Sequence, residues 1–435
     1  MELDCGVFFR QYGDMVYLRH VGQRKDYVFD GSAGDVLDYL REHPGCSLKA
    51  LQDDLAEAFE LDDRRCFDED IRDFTDQLAA LGILRQQNPR KTASDTLRQQ
   101  MKQLARQHKQ LFSLTLELTY RCNERCIHCY VDDDVCRERE LTLAEYRRVL
   151  DEAHALGCMN VLLTGGEVTM RSDYIDIAEY AVNQGFCVDI YTNGLALKLE
   201  HIQRLAQLRV NSVSFSIYGP NAQIHDAITR VSGSFDRTLR SMLLCKCAGI
   251  DTFAKTVVMR QNYEGLEELM QLGHIAGIDI NTSTVVTASH HGRPASEFRL
   301  MDPEKYRRVI ELAIQYGISE DSVCSPEGHE PGLCDAGVTS LCVDPYGNVM
   351  PCNAINRPIG NVRESGLEAI CCQSALLKSL EELRFESVCP KEGDCLDARW
   401  CSMCIGSAYS ESKSWKPTPD VCLMARGTRL ANQNG

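Results

Sequence analysis

Cys122-Asn-Glu-Arg-Cys126-Ile-His-Cys129 sets three thiols at C-x3-C-x2-C spacing in one short stretch of a 435-residue chain. Thiolates so spaced can wrap one corner of a small body, and soft sulfur donors suit zinc or an iron–sulfur cluster. Zinc in a structural site wants four ligands, and His128 is poorly placed to bend back beside its own neighbours. Three ligands on a [4Fe–4S] cluster leave one iron open, and an open iron is where a reactant can bind. A structural zinc knot is the bland alternative. A second concentration of sulfur lies further on, since eleven of the 22 cysteines fall from Cys324 onward. There Cys334, Gly347 and Cys352 are spaced C-x12-G-x4-C across a hairpin-like VDPYGNV turn, followed by Cys389, Cys395, Cys401, Cys404 and Cys422. A zinc-ribbon-like module is the competing reading of that tail. Cys5, Cys46, Cys66, Cys136, Cys158, Cys187, Cys245 and Cys247 read as buried or incidental thiols, and Cys371-Cys372 as helix residues without a ligand role.

Composition supports metal over disulfides. A secreted disulfide scaffold of this cysteine density is usually much shorter, whereas a chain that is 44% hydrophobic and 25% charged can build an ordinary core. No apolar run approaches the roughly 20 residues of a membrane span. The opening MELDCGVFFRQYGD lacks the basic start and apolar stretch of a signal peptide. A cytoplasmic enzyme with no membrane partner is expected. The net charge of −16 opposes general nucleic-acid binding, which needs a basic face.

These sulfur sites need elements to hold them. Residues 1–88 read as a small front domain, with short strands at Val7–Arg10, Met15–Leu18 and Asp26–Phe29. Helices follow at Ala33–Glu42, at Leu48–Phe59 behind a Ser47 cap, and at Asp68–Leu81, where Ile71, Phe74, Leu78 and Leu81 recur at helical spacing. This is a winged-helix plan, but ten basic against nineteen acidic residues over 1–88 oppose a DNA-binding use. Residues 89–110, with six Lys/Arg and one Asp, read as a linker helix. Residues 111–320 then alternate strands with amphipathic helices. The strands are Ser113–Leu118, Met159–Leu163, Cys187–Tyr191, Ser212–Ile217, Phe253–Met259 and a sixth near Ile278–Thr287. The helices are Leu143–Ala155, Asp173–Asn183, Leu199–Leu208, Phe235–Ala248, Gly265–Ala276 and Pro303–Tyr316. Repeated βα units give a parallel sheet, open or curled into a barrel, with its site at the C-terminal strand ends. The first cysteine loop follows the first of these strands. Residues 321–435 form the cysteine-rich tail. The fold class is thus α/β, a partial six-unit barrel with an added domain at each end.

A C-x3-C-x2-C loop after the first strand of a partial βα barrel resembles the radical SAM superfamily over roughly Phe112–Tyr316. Leu162-Leu-Thr-Gly165-Gly166-Glu167 resembles the family's GGE segment, with Val168 where proline is usual; Tyr191-Thr-Asn193-Gly and Ser214-Phe-Ser216-Ile-Tyr-Gly end the next two strands. The resemblance implies a SAM-binding [4Fe–4S] cluster on Cys122, Cys126 and Cys129. It also implies S-adenosylmethionine held by the backbone at Gly165, Gly166 and Glu167, by Asn193, by ribose contacts at Ser214 and Ser216, by Arg230 at the methionine carboxylate, and by His128 in the slot that packs on adenine. The tail resembles the SPASM extension, which holds two auxiliary [4Fe–4S] clusters, making three in all. The resemblance gives Cys334, Cys352 and Cys404 to the first, with Cys324 as fourth ligand, Cys342 as its rival and an open site as the third option. Cys389, Cys395, Cys401 and Cys422 fall to the second, although C-x5-C-x5-C-x2-C departs from the usual C-x2-C-x5-C-x3-C.

A front winged helix, a radical SAM core and a SPASM tail together resemble maturases of ribosomally made peptides. That resemblance implies a precursor peptide whose leader adds as a strand to the front sheet, at Val7–Arg10 or Asp26–Phe29, with Asp68–Leu81 as groove wall. It implies an electron donor such as flavodoxin or ferredoxin. The expected reaction is hydrogen abstraction from the precursor and closure of a cysteine thioether. Carbon–carbon or carbon–oxygen crosslinking and formylglycine formation in a sulfatase use the same parts. A metal-containing DNA-binding regulator is the non-enzyme alternative. No residue is singled out as the catalytic acid or base.

Overall fold

The computed structural model describes residues 1, 3, 7–23, 25–43, 46–61, 64–84, 95–131, 139–316, 334–389 and 395–433. Three strands open the chain: β1 (Val7–Tyr12), β2 (Met15–His20) and β3 (Lys25–Asp30). They form an antiparallel meander in that order, with Val7 opposite His20 and Met15 opposite Asp30. Each strand runs longer than its sequence pattern suggested, because side chains on both faces are packed. Phe9, Val16 and Leu18 face the helices Ser32–Glu42, Leu48–Ala58 and Arg65–Ala80. Phe8, Tyr12 and Tyr17 face the other way, onto Met101, Ala105, Phe112, Met159 and Cys187. The helix Asp95–Gln107, expected as a linker, therefore closes part of this second layer.

The central sheet contains β4 (Ser113–Glu117), β5 (Asn160–Thr164), β6 (Cys187–Thr192), β7 (Ser212–Ser216), β8 (Thr252–Val257) and β9 (Ile280–Ser283), all parallel. These match the expected strands with shifted ends, β9 being much shorter than its candidate segment. On β4, Leu114 and Leu116 join the core under the helices, while Thr115 and Glu117 point to the opposite side. The period-2 alternation thus puts polar side chains inside the barrel and apolar ones outside. The six helices between strands appear close to their expected spans, and one more, Ala222–Thr229, follows β7.

Past the barrel, β10 (Ser340–Val343), β11 (Asn348–Met350) and β12 (Gly360–Asn361) form a meander around the VDPYGNV turn. β10 also pairs parallel with β4, Ser340 beside Ser113, so the sheet has nine strands in the order β12-β11-β10-β4-β5-β6-β7-β8-β9. Gly347 sits at φ 90°, the left-handed conformation that favours glycine. The tail is pinned a second time by Arg299, 3% exposed, which donates to Glu411 at 2.9 Å, to Asp420 at 3.4 Å and to the Val286 carbonyl at 3.1 Å. Ser407 donates to the same carbonyl at 3.2 Å. Stripping one member from a buried ion pair leaves the others desolvated and unpaired, at about 3–5 kcal/mol. Arg299→Met is expected to lower the thermal midpoint of the purified protein and to raise proteolysis of residues 334–433 before that of the barrel, read by limited digestion with mass spectrometry.

Candidate active site

The cysteine loop crosses the C-terminal end of β4 and is fixed from three sides. Arg125 N donates to Thr229 O at 3.0 Å and Ile127 N to Ile228 O at 3.0 Å, so the loop runs along the end of the helix Ala222–Thr229. On the other side Gly166 N donates to Thr119 O at 2.7 Å and Glu167 N to Arg121 O at 2.9 Å. This approach leaves no room for side chains. A Cβ on Gly165 would stand 2.3 Å from Thr119 O, and one on Gly166 would stand 2.6 Å from Arg121 O. Gly165 also has φ 141°.

Glu167 is fully engaged by protein. Its carboxylate accepts from Thr169 N at 3.0 Å, Thr169 Oγ1 at 2.7 Å, Thr192 Oγ1 at 2.6 Å and Asn193 N at 2.6 Å. Its side chain clamps the end of β5 to the end of β6 and is not free to meet a ligand. Asn193 in turn donates to Asn123 Oδ1 at 2.6 Å, between the first two cysteines. Arg230 ends the helix Ala222–Thr229 at φ 58°, a conformation costly for a non-glycine residue. Asp226 holds it there by accepting from Gly233 N at 2.6 Å, Ser234 Oγ at 2.8 Å and Phe235 N at 2.9 Å. Asp226 carries no mark in the sequence beyond its proximity to Arg230.

These elements enclose a cavity of about 1540 Å³. Cys122, Cys126, Cys129, His128, Gly165, Gly166, Glu167, Asn193, Ser216 and Arg230 all line it. Ser214 is buried one pleat deeper on the same face of β7 and is not among the lining residues. His128 meets Tyr218 edge to face, ring centroids 4.8 Å apart. Burial, with Arg293 adding, pushes its imidazole down to about 4, so it presents a neutral ring near pH 7. Burial raises both thiols, Cys122 to about 12 and Cys126 well above its ordinary value. Loading metal on them must therefore displace protons.

Sequence reasoning missed the pair of tyrosines beneath the loop. Tyr120 donates to Glu117 at 2.8 Å and Tyr130 at 2.6 Å. Burial outweighs these bonds and lifts the Glu117 carboxyl to about 7. Tyr130 directly follows Cys129, and Asn353, next to Cys352, donates to its hydroxyl at 3.5 Å.

The tail cysteines gather as two groups. Cys334 and Cys404 accept backbone N–H bonds of 3.4 Å from Ala336 and Ser407, and Cys404 caps the helix Ile405–Ser412. Burial raises the Cys334 and Cys352 thiols, and their neighbours add to it, Cys404 at Cys334 and both Cys334 and Cys404 at Cys352. Cys342 is fully buried on β10 and feels Cys352; Cys324 lies outside the described residues. Cys389, Cys395, Cys401 and Cys422 line one cavity of about 310 Å³. Among the described residues no three His, Cys, Asp or Glu side chains converge closely enough for a single metal ion. A cubane, which spreads its thiolates over separate irons, suits such wider groups. The donor set, the cavities and the glycine-lined edge fit S-adenosylmethionine with iron–sulfur clusters.

The comparisons agree. The radical SAM superfamily profile matches residues 116–273, and the SPASM iron–sulfur cluster-binding domain matches residues 334–405. Mycofactocin maturase MftC of Mycolicibacterium smegmatis is 31% identical over 64% of this chain and 75% of its own length. The AdoMet-dependent heme synthase of Methanosarcina barkeri is 26% identical over 72% of this chain and 96% of its own. The subtilosin biosynthesis protein AlbA of Bacillus subtilis is 24% identical over 73% and 71%. Among solved structures, Streptococcus suis SuiB bound to its precursor peptide SuiA shares the fold with TM-score 0.63 at 17% identity, over 97% of this chain and 99% of that one.

Two outcomes are expected. Gly166→Ala should push the loop off its seat and lose about four of the iron atoms a chain with three cubanes would carry, by anaerobic iron analysis after reconstitution. Glu117, raised above the ordinary carboxyl range, keeps its proton below its folded pKa and releases it as pH rises. The infrared band of a protonated carboxyl, isolated as wild type minus Glu117→Gln, should fade as pH rises through about 7.

Proposed function

Because the chain belongs to the radical SAM superfamily and carries a SPASM domain with it, we propose that it is a maturase of a ribosomally synthesised precursor peptide, closing a cysteine thioether within the core. The observation that carries this reading is the front sheet. In the order β1-β2-β3, β3 is an edge strand, and among the described residues no further strand pairs with it. Its Tyr27 and Phe29 stack 6.4 Å apart, and Phe29 meets Phe74 of the helix Arg65–Ala80 edge to face at 5.3 Å. An edge strand beside a partly exposed aromatic helix face is the arrangement that takes an extended peptide, main chain on the edge and side chains in the groove. β1 suits this less well, because its Arg10 is buried against Cys158 O and Gln184 O of the barrel. The acidic balance of residues 1–88 favours a leader with basic residues and disfavours DNA, which sets the regulator reading aside. The mycofactocin maturase and the bacteriocin biosynthesis protein among the relatives support a maturation role.

Bound S-adenosylmethionine and its reduced cluster supply a 5′-deoxyadenosyl radical, which takes hydrogen from substrate. The chain does the rest. Cys122, Cys126 and Cys129 would hold the cluster; the Gly165–Glu167 backbone and Arg230 would orient the amino-acid end of the cofactor; His128 and Tyr218 would pack the adenine; Ser216 would meet the ribose. Cys334, Cys352 and Cys404 would hold one auxiliary cluster, with Cys324 or Cys342 as fourth ligand or an open site there, and Cys389, Cys395, Cys401 and Cys422 would hold the other. Forming a thioether removes two hydrogen atoms: one as the abstracted atom, the other as the thiol proton, with one electron left over. The auxiliary clusters are suited to accept that electron, and a flavodoxin or ferredoxin to exchange electrons with the enzyme.

Anaerobic analysis of the reconstituted protein should find about twelve iron atoms per chain. Reductant and S-adenosylmethionine should yield 5′-deoxyadenosine, abolished in Cys126→Ala. Co-expression with the short peptide encoded beside the gene should shift that peptide down by two hydrogen masses per bond, with the bridge mapped to a cysteine by tandem mass spectrometry. A mass loss with every thiol still alkylatable would replace the thioether by a carbon–carbon or carbon–oxygen bond.

A further inference from the structure

Several charged groups near the cysteine loop are taken up by the protein: Glu167 by four hydrogen bonds, Glu140 by Arg121 at 3.6 Å and Thr119 at 2.5 Å, Arg293 by Cys129 O at 2.7 Å. On the wall made by β6, β8 and β9 three polar groups are not. Lys255 of β8 holds its ammonium 4.5 Å from the centre of the Tyr191 ring, reaching across β7. Asn281 of β9 lies beside it in register. All three line the cavity. Among the described residues no carboxylate stands within ion-pair distance of Lys255, and neither the Asn281 amide nor the Tyr191 hydroxyl has a hydrogen-bond partner.

A cation set over an aromatic face in a partly desolvated cavity is held in place, yet its charge needs an anion. The described residues give it none there. Glu117 sits beneath Tyr120 and Tyr130, Glu140 and Glu167 are engaged as above, and Asp189 accepts from Asn211 and Ser212 at 2.5 Å. We propose that Lys255, Asn281 and Tyr191 form a carboxylate subsite for the substrate, so that the residue entering the cavity carries a carboxylate, from either an acidic side chain or a free C-terminus. Lys255 supplies the charge, and the Asn281 amide and Tyr191 hydroxyl supply further donors at fixed positions. The cofactor's own carboxylate does not need this site, because Arg230 lines the cavity near the cysteine loop and makes no ion pair among the described residues. The inference rests on the reading of this cavity as the place where substrate meets the adenosyl group.

The test follows Lys255 itself. The reconstituted enzyme, saturated with S-adenosylmethionine, is labelled with acetic anhydride, and acetylation of Lys255 is read by peptide mass spectrometry. Three probes are compared: N-acetylglycylglycine for a C-terminal carboxylate, N-acetylglutamic acid α-amide for a side-chain carboxylate, and N-acetylglycylglycinamide as the neutral control. The expected result is saturable loss of labelling with one or both acids and none with the amide, the better acid naming the source. Lys255→Gln should weaken binding of the protecting acid about tenfold or more, the loss of one charge-assisted hydrogen bond. It should leave affinity for S-adenosylmethionine and its reductive cleavage unchanged, and Lys255→Arg should restore binding of the acid. Protection by neither acid, equal protection by the amide, or loss of cofactor binding in Lys255→Gln overturns the proposal. Absence of 5′-deoxyadenosine from the wild type would instead remove the functional reading beneath it.

Discussion

The active end of this molecule depends on two backbones lying against each other with nothing between them. Residues 119–121 of the cysteine loop and Gly165–Gly166 at the end of β5 touch through carbonyls and amides, and a single methyl group on either glycine would collide with a carbonyl oxygen. Such a contact fixes the loop more tightly than side-chain packing, because no rotamer change can relax it. Its consequence is geometric. Cys122 follows directly, Glu167 bridges onward to Thr192 and Asn193, and Asn193 returns to Asn123. The three cysteines and the polar backbone edge beside them are thus parts of one closed circuit of contacts.

Much of this was legible in the sequence, for a physical reason. Ligand spacing within one loop is local, and strands alternating with amphipathic helices repeat a short-range period, so the barrel and its cysteine loop could be read directly. The four cysteines of the second auxiliary group were assigned by resemblance to a pattern they only partly follow, and they line one cavity. What sequence could not give is non-local. SLCV at β10 has no feature that says it pairs with β4, more than two hundred residues earlier. Glu117 looks like one more polar position in an alternating strand until Tyr120 and Tyr130 close over it. Asp226 and Lys255 are ordinary charged residues whose roles appear only with their surroundings. The glycines were legible as a motif, yet the motif suggested contact with a ligand, whereas the coordinates show that their first obligation is to the cysteine loop.

The front sheet binds the opposite end of the barrel. Phe112, Met159 and Cys187, against which Phe8, Tyr12 and Tyr17 pack, stand just before or at the starts of β4, β5 and β6, while the cysteine loop leaves the other end of β4. On the proposed function, leader and core therefore engage opposite ends of the barrel. A strand of five residues covers about 17 Å, and a precursor must pass around the wall as well. The separation favours a substrate that is long, extended and anchored by its leader at a distance from the bond being made. Anchoring of this kind raises the local concentration of the core without fixing its register, so the register must be set inside the cavity.

That requirement gives the unsatisfied wall of the cavity its significance. A tethered core can offer several neighbouring residues to one adenosyl group, and apolar shape discriminates weakly between residues of similar size. A fixed charge discriminates strongly, because a wrong residue leaves the half-buried ammonium without its anion. Lys255 is held at Tyr191 from β8, one of the rigid strands of the barrel and not from a loop, so it can measure position along the peptide. On the other side of the cavity the Tyr130 hydroxyl, one residue past Cys129, meets Asn353, one residue past Cys352. This hydrogen bond links the cysteine loop to the turn that carries Cys352, across the cavity wall. On the proposed function, the leader would select which peptide enters, and the cavity would select which residue of it reacts.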